Sequence, residues 1–342
     1  MKSEAPRVAI ITSGGSGRRL MCRTGGFALL AMLIAFAAVP AAAQQQYPSR
    51  PVRIIVGVVP GGSADAMGRI VAQILTERFK QNVIVDNRPG ANFLIALQLL
   101  MNSSPDGYTL AVGTTGALTV SPAVEKNLPY NSLTSFSPVA LAVAFPYILT
   151  ARRDLPVNDI KGLIEYSKNH PGKMFFGGAG HLSVNHLGIE WLKSLTGLDA
   201  QHVPFKGSGE ALIELIAGRL DFSLLNAGAA MPQIAAGKLK GLAVTSPARV
   251  PLAEGIPTMI ESGVPGLAVQ AWNGILGPAH LPRQIVVKLN EAINEGLQRS
   301  DTRGQLAKLI LYPITDTPEG FQRLIAQELG NWREVVKRAK LQ

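Results

Sequence analysis

Short apolar runs alternate along this chain with segments whose apolar residues recur at helical spacing. The run at 52–58 ends at a Pro-Gly-Gly-Ser turn, and an amphipathic helical pattern then begins. This alternation predicts an α/β fold with mostly parallel sheets. The predicted strands cover 52–58, 82–86, 108–113, 138–150, 174–177, 201–204, 221–225 and 241–245. The predicted helices cover 64–80, 91–102, 159–169, 184–196, 208–217, 229–236, 282–298 and 318–338.

The first strand-turn-helix unit is the strongest candidate for a binding site. Ser63 is predicted to cap the helix, and Asp65 lies in the first turn, where the helix dipole favours an anion. The first N–H groups of a helix have no partner within it, so such a turn can bind a carboxylate or a phosphate. Asp65 is expected to serve the helix start, and a tight turn without a ligand is the alternative. The expected ligand contacts are Pro60, Gly61, Gly62, Ser63 and Ala64.

Three further loops follow predicted strands and are candidate contacts. The first would lie beside the Pro-Gly-Gly-Ser turn and hold a second polar end of the ligand, or cap a helix; it contains Thr114, Thr115 and Gly116. The second is rich in glycine, which lets the backbone approach a ligand closely; it contains Gly178, Ala179, Gly180 and Ser183. The third candidate is Asn226, a weaker one, directly after the strand at 221–225.

Residues 1–43 have the pattern of a cleaved export leader. Basic residues at 18, 19 and 23 precede an apolar run without charges at 27–39, and three alanines then offer a cleavage site before Gln44. The apolar run is too short to span a bilayer comfortably. We therefore expect a mature protein of 299 residues in the periplasm.

Composition excludes several classes of function. The only cysteine is Cys22, within the leader, so disulfides, thiolate metal sites and a cysteine nucleophile are excluded for the mature chain. Removal of the leader takes away five basic residues and one acidic residue, and the net charge falls from +10 to +6. The remaining basic residues are scattered, which argues against nucleic-acid binding. A mild positive balance suits an anionic ligand.

Two segments about twenty residues apart identify a family resemblance. They are Pro60-Gly61-Gly62-Ser63-Ala64-Asp65 and Asp86-Asn87-Arg88-Pro89-Gly90. Together they resemble the Bug family, the solute receptors of tripartite tricarboxylate transporters. Further matches in order are the motifs at 105–110, 113–116, 128–130, 136–139, 170–173, 177–180, 202–207, 243–246 and 256–258. The resemblance covers about residues 47 to 340.

The resemblance implies a two-lobed periplasmic binding protein with a type II-like α/β fold, in which two crossing strands form the hinge. Extended runs at 139–150 and 269–278 are the places where the chain would cross. We expect a first domain at 44–145 plus 271–342 and an inserted second domain at 146–270. Hinge motion is expected near 145–147 and 271–274.

The resemblance also implies the function. The family's receptors capture a small organic acid between the lobes, with the two glycine loops gripping the carboxylate, partly through water. They deliver it to membrane permease subunits or to a signalling partner. This chain is therefore expected to be a receptor and not an enzyme, to need no cofactor and to be a monomer.

Two alternative interpretations are weaker. A secreted α/β hydrolase would use Ser63 as nucleophile, but its Gly-x-Ser-x-Gly pattern requires glycine where Asp65 stands. A metal site would use His181, His186 and Glu190, but the HExxH pattern is absent. Arg88 and Lys206 lie in turn motifs, which favours structural roles for both.

Several positions that are polar in the family are apolar here: Ala64, Phe93, Leu94 and Leu225. Each loss removes a partner for a second or third carboxylate, and burying a charge without partners is expensive. The sequence therefore predicts a monocarboxylate with an aromatic or branched body in preference to citrate.

Overall fold

The computed structural model describes residues 47–178, 183–205, 208–267 and 269–338. The predicted leader lies outside these ranges, and so do Ala179, Gly180, His181 and Lys206.

Strands and helices alternate through the described chain in the predicted order. The strands are β1 (Val52–Val56), β2 (Val83–Asn87), β3 (Thr109–Thr114), β4 (Phe136–Arg152), β5 (Phe175–Gly178), β6 (Gln201–Pro204), β7 (Phe222–Asn226), β8 (Leu239–Val244), β9 (Gln270–Pro278) and β10 (Tyr312–Pro313). The helices are α1 (Ser63–Phe79), α2 (Leu94–Met101), α3 (Ser121–Val124), α4 (Ile160–Asn169), α5 (Val184–Thr196), α6 (Ser208–Ile216), α7 (Ala227–Ala235), α8 (Arg283–Gln298), α9 (Ser300–Lys308) and α10 (Pro318–Arg338). A 3₁₀ turn (Ala91–Phe93) precedes α2, a π-helical turn (Gly116–Val120) precedes α3, and a second 3₁₀ turn covers Pro251–Ala253.

Every predicted strand and helix is present, with ends that differ by three residues or fewer. The elements without a prediction of their own are the turn before α3, α3 itself, the second 3₁₀ turn, α9 and β10, while β9 corresponds to the extended run predicted at 269–278. Except for α9, the elements without a prediction have five residues or fewer, which is too few for a periodic pattern to stand out.

One sheet runs through the described residues in the order β2-β1-β3-β9-β4-β7-β5-β6, and β8 and β10 also pair with β4. The outer pairs of β1 with β2 and β3, and of β5 with β6 and β7, are parallel. Every pair that contains β4 or β9 is antiparallel. The prediction of mostly parallel sheets is therefore wrong for the centre, because the chain crosses between the two parallel regions on these two strands.

The 17-residue strand β4 belongs to both regions. Its first part, up to Pro146, pairs with β9 and β10, and its last part, from Tyr147, pairs with β7 and β8. We call β1, β2, β3, β9, β10 and the first part of β4 the first half-sheet. The second half-sheet contains β5 to β8 and the end of β4. Since β4 runs through both, this strand joins the two half-sheets.

Helix α10 packs against β4, α3 and the turn before α3. It also contacts α5, which follows β5 of the second half-sheet. Trp332 of α10 meets Trp191 of α5 edge to face, with ring centroids 6.0 Å apart. Within the described residues, no helix combines the length and the apolar character that a bilayer crossing requires.

Candidate functional site

A cavity of about 570 Å³ is lined by residues from both half-sheets. Six segments contribute: the β1–α1 turn, the turn before α2, the chain from the end of β3 to the end of α3, the middle of β4, the start of β9 and the start of α5. The described lining residues are Val58, Gly62, Ser63, Ala64, Asn92, Phe93, Thr114, Thr115, Gly116, Val120, Ser121, Val124, Glu125, Phe145, Tyr147, Ser183, Val184, Asn185, Ala271, Trp272 and Asn273. Such a volume is in the range of small-molecule sites.

Two helix N-termini converge on this cavity. For both α1 and α5, the N-cap residue and the first two helical residues belong to the lining: Gly62, Ser63 and Ala64, then Ser183, Val184 and Asn185. The first N–H groups of each helix have no intrahelical acceptor, and each helix dipole places partial positive charge at this end. Two such ends at one cavity would suit an anion.

The start of α1 differs from its prediction in one detail. Gly62 is the N-cap, with extended backbone, and no side chain caps the helix, so the prediction that Ser63 is the cap is wrong. The first helical hydrogen bond runs from Ala66 N to Gly62 O, at 2.9 Å. The Ser63 hydroxyl therefore makes no cap hydrogen bond and lies in the cavity lining.

Asp65 holds the β1–α1 turn to the end of β2. Its carboxylate accepts hydrogen bonds from Gly61 N (3.0 Å), Arg69 Nε (3.0 Å) and Asn87 Nδ2 (2.8 Å). Asn87 Nδ2 also donates to Val58 O at 3.0 Å. Burial alone would raise the pKa of Asp65, but these hydrogen bonds outweigh it and the pKa lies below its usual value.

This network joins the two segments on which the family resemblance rests, since Asp65 belongs to the first and Asn87 to the second. It also corrects one expectation, because the Gly61 N–H is bound to Asp65 and is not offered to a ligand. Gly61 and Pro60 are exposed in the turn beside the cavity. The Gly61 backbone, with φ of +106°, favours glycine.

Thr114 and Thr115, at the end of β3, both form hydrogen bonds to neighbouring backbone groups. Thr114 Oγ1 accepts a hydrogen bond from Ala117 N at 3.2 Å, which ties the end of β3 to the start of the π-helical turn. Thr115 is buried, and its Oγ1 accepts from Trp272 N at 2.8 Å. Both threonines therefore have structural hydrogen bonds as well as a place in the lining.

Phe93 forms an apolar wall of the cavity. Helix α2 begins at Leu94 and not at residue 91 as predicted, because Ala91, Asn92 and Phe93 have φ values of +44°, +48° and +70°. This left-handed path brings the Phe93 ring against Gly57, where an added Cβ would lie 2.3 Å from Phe93 Cδ1. Three non-glycine residues in this region cost conformational energy, which surrounding contacts must offset.

The candidate residues of the second half-sheet differ in their roles. Ser183 caps α5, with its Oγ 3.3 Å from His186 N, and lies in the lining. Gly178 is buried at the end of β5, where an added Cβ would come within 3.3 Å of Asn185 Cβ. Asn226 caps α7 by accepting from Gly228 N at 2.8 Å. Gly178 and Asn226 thus support neighbouring elements and lie outside the described lining.

The described lining carries almost no charge. Glu125, exposed at the end of α3, is the one charged residue in it. No lysine or arginine stands among the described lining residues. An anion held by this part of the cavity would therefore depend on backbone N–H groups and helix dipoles rather than on an ion pair.

A partly buried carboxyl group lies behind the cavity wall. Glu328 of α10 accepts hydrogen bonds from Trp272 Nε1 (2.9 Å) and Thr119 Oγ1 (3.3 Å). Burial raises the pKa of Glu328 to about 7, although both hydrogen bonds act in the opposite direction. Burial also raises the pKa of Tyr147, and the nearby Glu328 adds to that effect.

The cavity thus brings together Gly62, Ser63, Ala64, Thr114, Thr115, Gly116 and Ser183 of the predicted set. Sequence reasoning did not nominate Val58, Asn92, Ser121, Asn185 or Asn273 as contacts. Asn185 has a signal in the sequence, since it follows the candidate contact Ser183 by two residues. Asn273 has none as a contact, because the sequence pattern marks its position only as part of an extended run and hinge.

His186 and Glu190, two of the three residues of the alternative metal site, interact with neighbouring side chains. The His186 ring stacks on the His202 ring with centroids 3.8 Å apart, and Glu190 pairs with Lys193 at 2.8 Å. The described residues contain no group of three or more side chains arranged to hold a metal ion. Arg88 pairs with Asp86 at 3.0 Å on the surface.

Comparison with known proteins identifies close relatives. The family model described as "Tripartite tricarboxylate transporter family receptor" matches residues 67–341. BugT of Bordetella pertussis is 33% identical over 312 residues, which cover 91% of this chain and 96% of that protein.

Solved structures share the fold. An R. palustris protein solved with adipate has a TM-score of 0.78 and 32% identity, and the match covers 86% of this chain and 98% of that one. The periplasmic binding protein BugD has a TM-score of 0.75 and 32% identity, with 86% and 99% covered. The predicted two-lobed α/β fold is confirmed, and so is the prediction of a receptor rather than an enzyme.

We expect Glu328 to make stability depend on pH. The folded protein holds this proton up to about pH 7, whereas an unfolded glutamate releases it near 4.5. The folded state therefore binds more protons between these values, and stability falls as pH rises through about 7. Relative to Glu328→Gln, the wild type should lose roughly 2 kcal/mol of unfolding free energy between pH 5 and pH 8.

Chemical denaturation at several pH values measures this difference. Glu334→Gln, which changes an exposed carboxyl of the same helix, is the control and should follow the wild type. Parallel curves for wild type and Glu328→Gln would show that Glu328 does not titrate in this range.

Proposed function

The chain belongs to the tripartite tricarboxylate transporter receptor family, and from this premise we propose that it captures a small carboxylate in the described cavity. We further propose that it delivers the acid to the membrane permease subunits of such a transporter, or to a signalling partner. The observation that carries the ligand proposal is the convergence of the α1 and α5 N-termini on one cavity. A carboxylate matches that arrangement, because it accepts several N–H hydrogen bonds at once.

The proposed ligand is a monocarboxylate with an aromatic or branched body. Two of the four apolar substitutions, Ala64 and Phe93, lie in the cavity lining. The other two, Leu94 and Leu225, pack into hydrophobic clusters, so the argument rests on the first pair. Glu125 also favours a monocarboxylate, since a second carboxylate near this acidic side chain would be repelled. The relative solved with adipate holds a dicarboxylate, which makes adipate an informative competitor.

The proposed location is the periplasm. The leader pattern at 1–43 supports export, and the relative BugD is described as a periplasmic binding protein.

The proposed motion is closure of the two lobes on the ligand. Phe145 and Tyr147 on β4, with Ala271, Trp272 and Asn273 on β9, line the cavity at the place where β4 passes from one half-sheet to the other. Rotation of 146–270 against 44–145 plus 271–342 at these positions would narrow the cavity. The Trp191–Trp332 contact would have to adjust during that rotation.

Carboxylate binding is tested by calorimetry and thermal shift on the mature protein. Benzoate, nicotinate and 4-methylpentanoate should bind more tightly than citrate or adipate. An acid at 100 times its Kd should stabilise the protein by about 2.7 kcal/mol. Tight citrate binding with no heat from the monocarboxylates would reject the ligand class and leave the receptor function intact.

Gly62→Val tests the place of binding. Gly62 has extended backbone that valine adopts readily, and an added Cβ would have its nearest neighbour, Val58 Cγ2, 4.0 Å away. The variant should therefore fold but lose the ligand-induced stabilisation, because its side chain blocks approach to the α1 N-terminus. Gly255→Val, at an exposed glycine with open space, is the control and should bind normally. Undiminished ligand binding by Gly62→Val would show that the ligand does not bind at the α1 N-terminus.

Closure is tested by small-angle X-ray scattering. The radius of gyration should decrease when saturating acid is added to the wild type and should stay constant for Gly62→Val. An unchanged radius for wild type at saturation would contradict the closure mechanism.

Export is tested by intact-mass measurement of the protein from a cell-envelope fraction. We expect a mature N-terminus at or near Gln44. An uncleaved protein in the cytoplasmic fraction would contradict the proposed location.

A further inference from the structure

Asn273 lines the cavity and carries a buried side-chain donor that has no hydrogen-bond partner among the described residues. It lies in β9, belongs to the lining, and is 2% exposed. Its Nδ2 has no hydrogen-bond partner in the described structure. Its sheet neighbours are Thr114 on β3 and Val143 on β4, so it sits at the centre of the sheet.

The other asparagines of the described lining are already engaged. Asn92 Nδ2 donates to Ser121 Oγ at 2.8 Å, and Asn185 Nδ2 donates to the backbone carbonyl of Leu224. Asn273 is therefore the one lining asparagine in the described chain whose amide nitrogen lacks an acceptor.

A buried donor without an acceptor destabilises a protein, and a ligand that supplies the acceptor recovers that loss. Asn273 is separate from the α1 and α5 N-termini, so it would meet a second part of the ligand. It is opposite Thr114 in the sheet register, beside the loop that sequence analysis singled out for a second polar end.

The charge of the lining determines which second polar group of the ligand Asn273 can bind. A neutral amide does not compensate a second carboxylate, and the described lining supplies no lysine or arginine to do so. A neutral acceptor, such as a ring nitrogen, a carbonyl or a hydroxyl, needs only one donor.

We propose that Asn273 determines specificity by donating a hydrogen bond from Nδ2 to a neutral acceptor on the body of the ligand, apart from its carboxylate. This inference rests on the proposed carboxylate-receptor function. It narrows the ligand class to monocarboxylates that carry one further acceptor.

Paired acids of equal shape test the proposal by calorimetry. Nicotinate and isonicotinate replace one ring C–H of benzoate by an acceptor nitrogen, and 4-oxopentanoate replaces a methyl branch of 4-methylpentanoate by a carbonyl. Wild type should bind the acceptor-bearing partner about tenfold more tightly in at least one pair, which corresponds to about 1.4 kcal/mol.

Asn273→Leu should abolish that preference while it keeps or improves affinity for the partner without the acceptor. Asn273→Val, which suits a strand, replaces it if the leucine variant does not fold. Asn82→Leu, at an exposed asparagine, is the matched control and should retain the preference.

The outcomes separate the two proposals. Binding of the acids without any preference within the pairs, or a preference that survives Asn273→Leu and Asn273→Val, overturns the role of Asn273 and leaves the receptor function standing. No binding of any acid by wild type overturns the carboxylate-receptor proposal, and the specificity role with it.

Discussion

One long strand pairs antiparallel with both parts of the sheet, and this pairing sets where the other elements can lie. Strand β4 contributes its first part to the pairing with β9 and its last part to β7 and β8. Parallel units of the ordinary strand-helix-strand kind extend outward on either side. The loops at the carboxyl ends of their strands then face one another, and open α/β sheets bind ligands at such places. The cavity forms there, and its back wall is the strand pair that joins the two half-sheets.

Anion binding as proposed for this cavity would depend mainly on backbone groups. The first turns of α1 and α5 line the cavity, while the nearby acidic side chain of Asp65 is directed into its own network with Arg69, Asn87 and the Gly61 amide. That network stabilises the turn and also neutralises a charge that would otherwise oppose an incoming anion. Because backbone donors are independent of side-chain identity, apolar side chains around them would leave the proposed anion site intact.

Part of the cavity wall is apolar because of Phe93. Phe93 is carried into the cavity by three consecutive left-handed residues and by the absence of a side chain at Gly57. Leu94 and Leu225, which the sequence pattern grouped with it, pack into the hydrophobic clusters instead. Behind the wall, Trp272 links the cavity to the carboxyl group of Glu328, whose pKa burial raises to about 7. Strand β9 therefore contributes to the cavity wall, and α10 holds the carboxyl group behind that wall.

The sequence alone predicted most of the strands and helices, because their periodic apolar patterns report local geometry directly. It also determined the glycine turn at 61–63 as an anion-site candidate, since a strand, a glycine turn and a helix start are contiguous in the chain. Only the tertiary structure decided that Gly61 N–H is bound to Asp65, that Phe93 faces the cavity while Leu225 does not, and that Asn273 lines it with an unpaired amide. These outcomes depend on side-chain direction and on contacts between segments distant in the chain, and a one-dimensional pattern does not encode either.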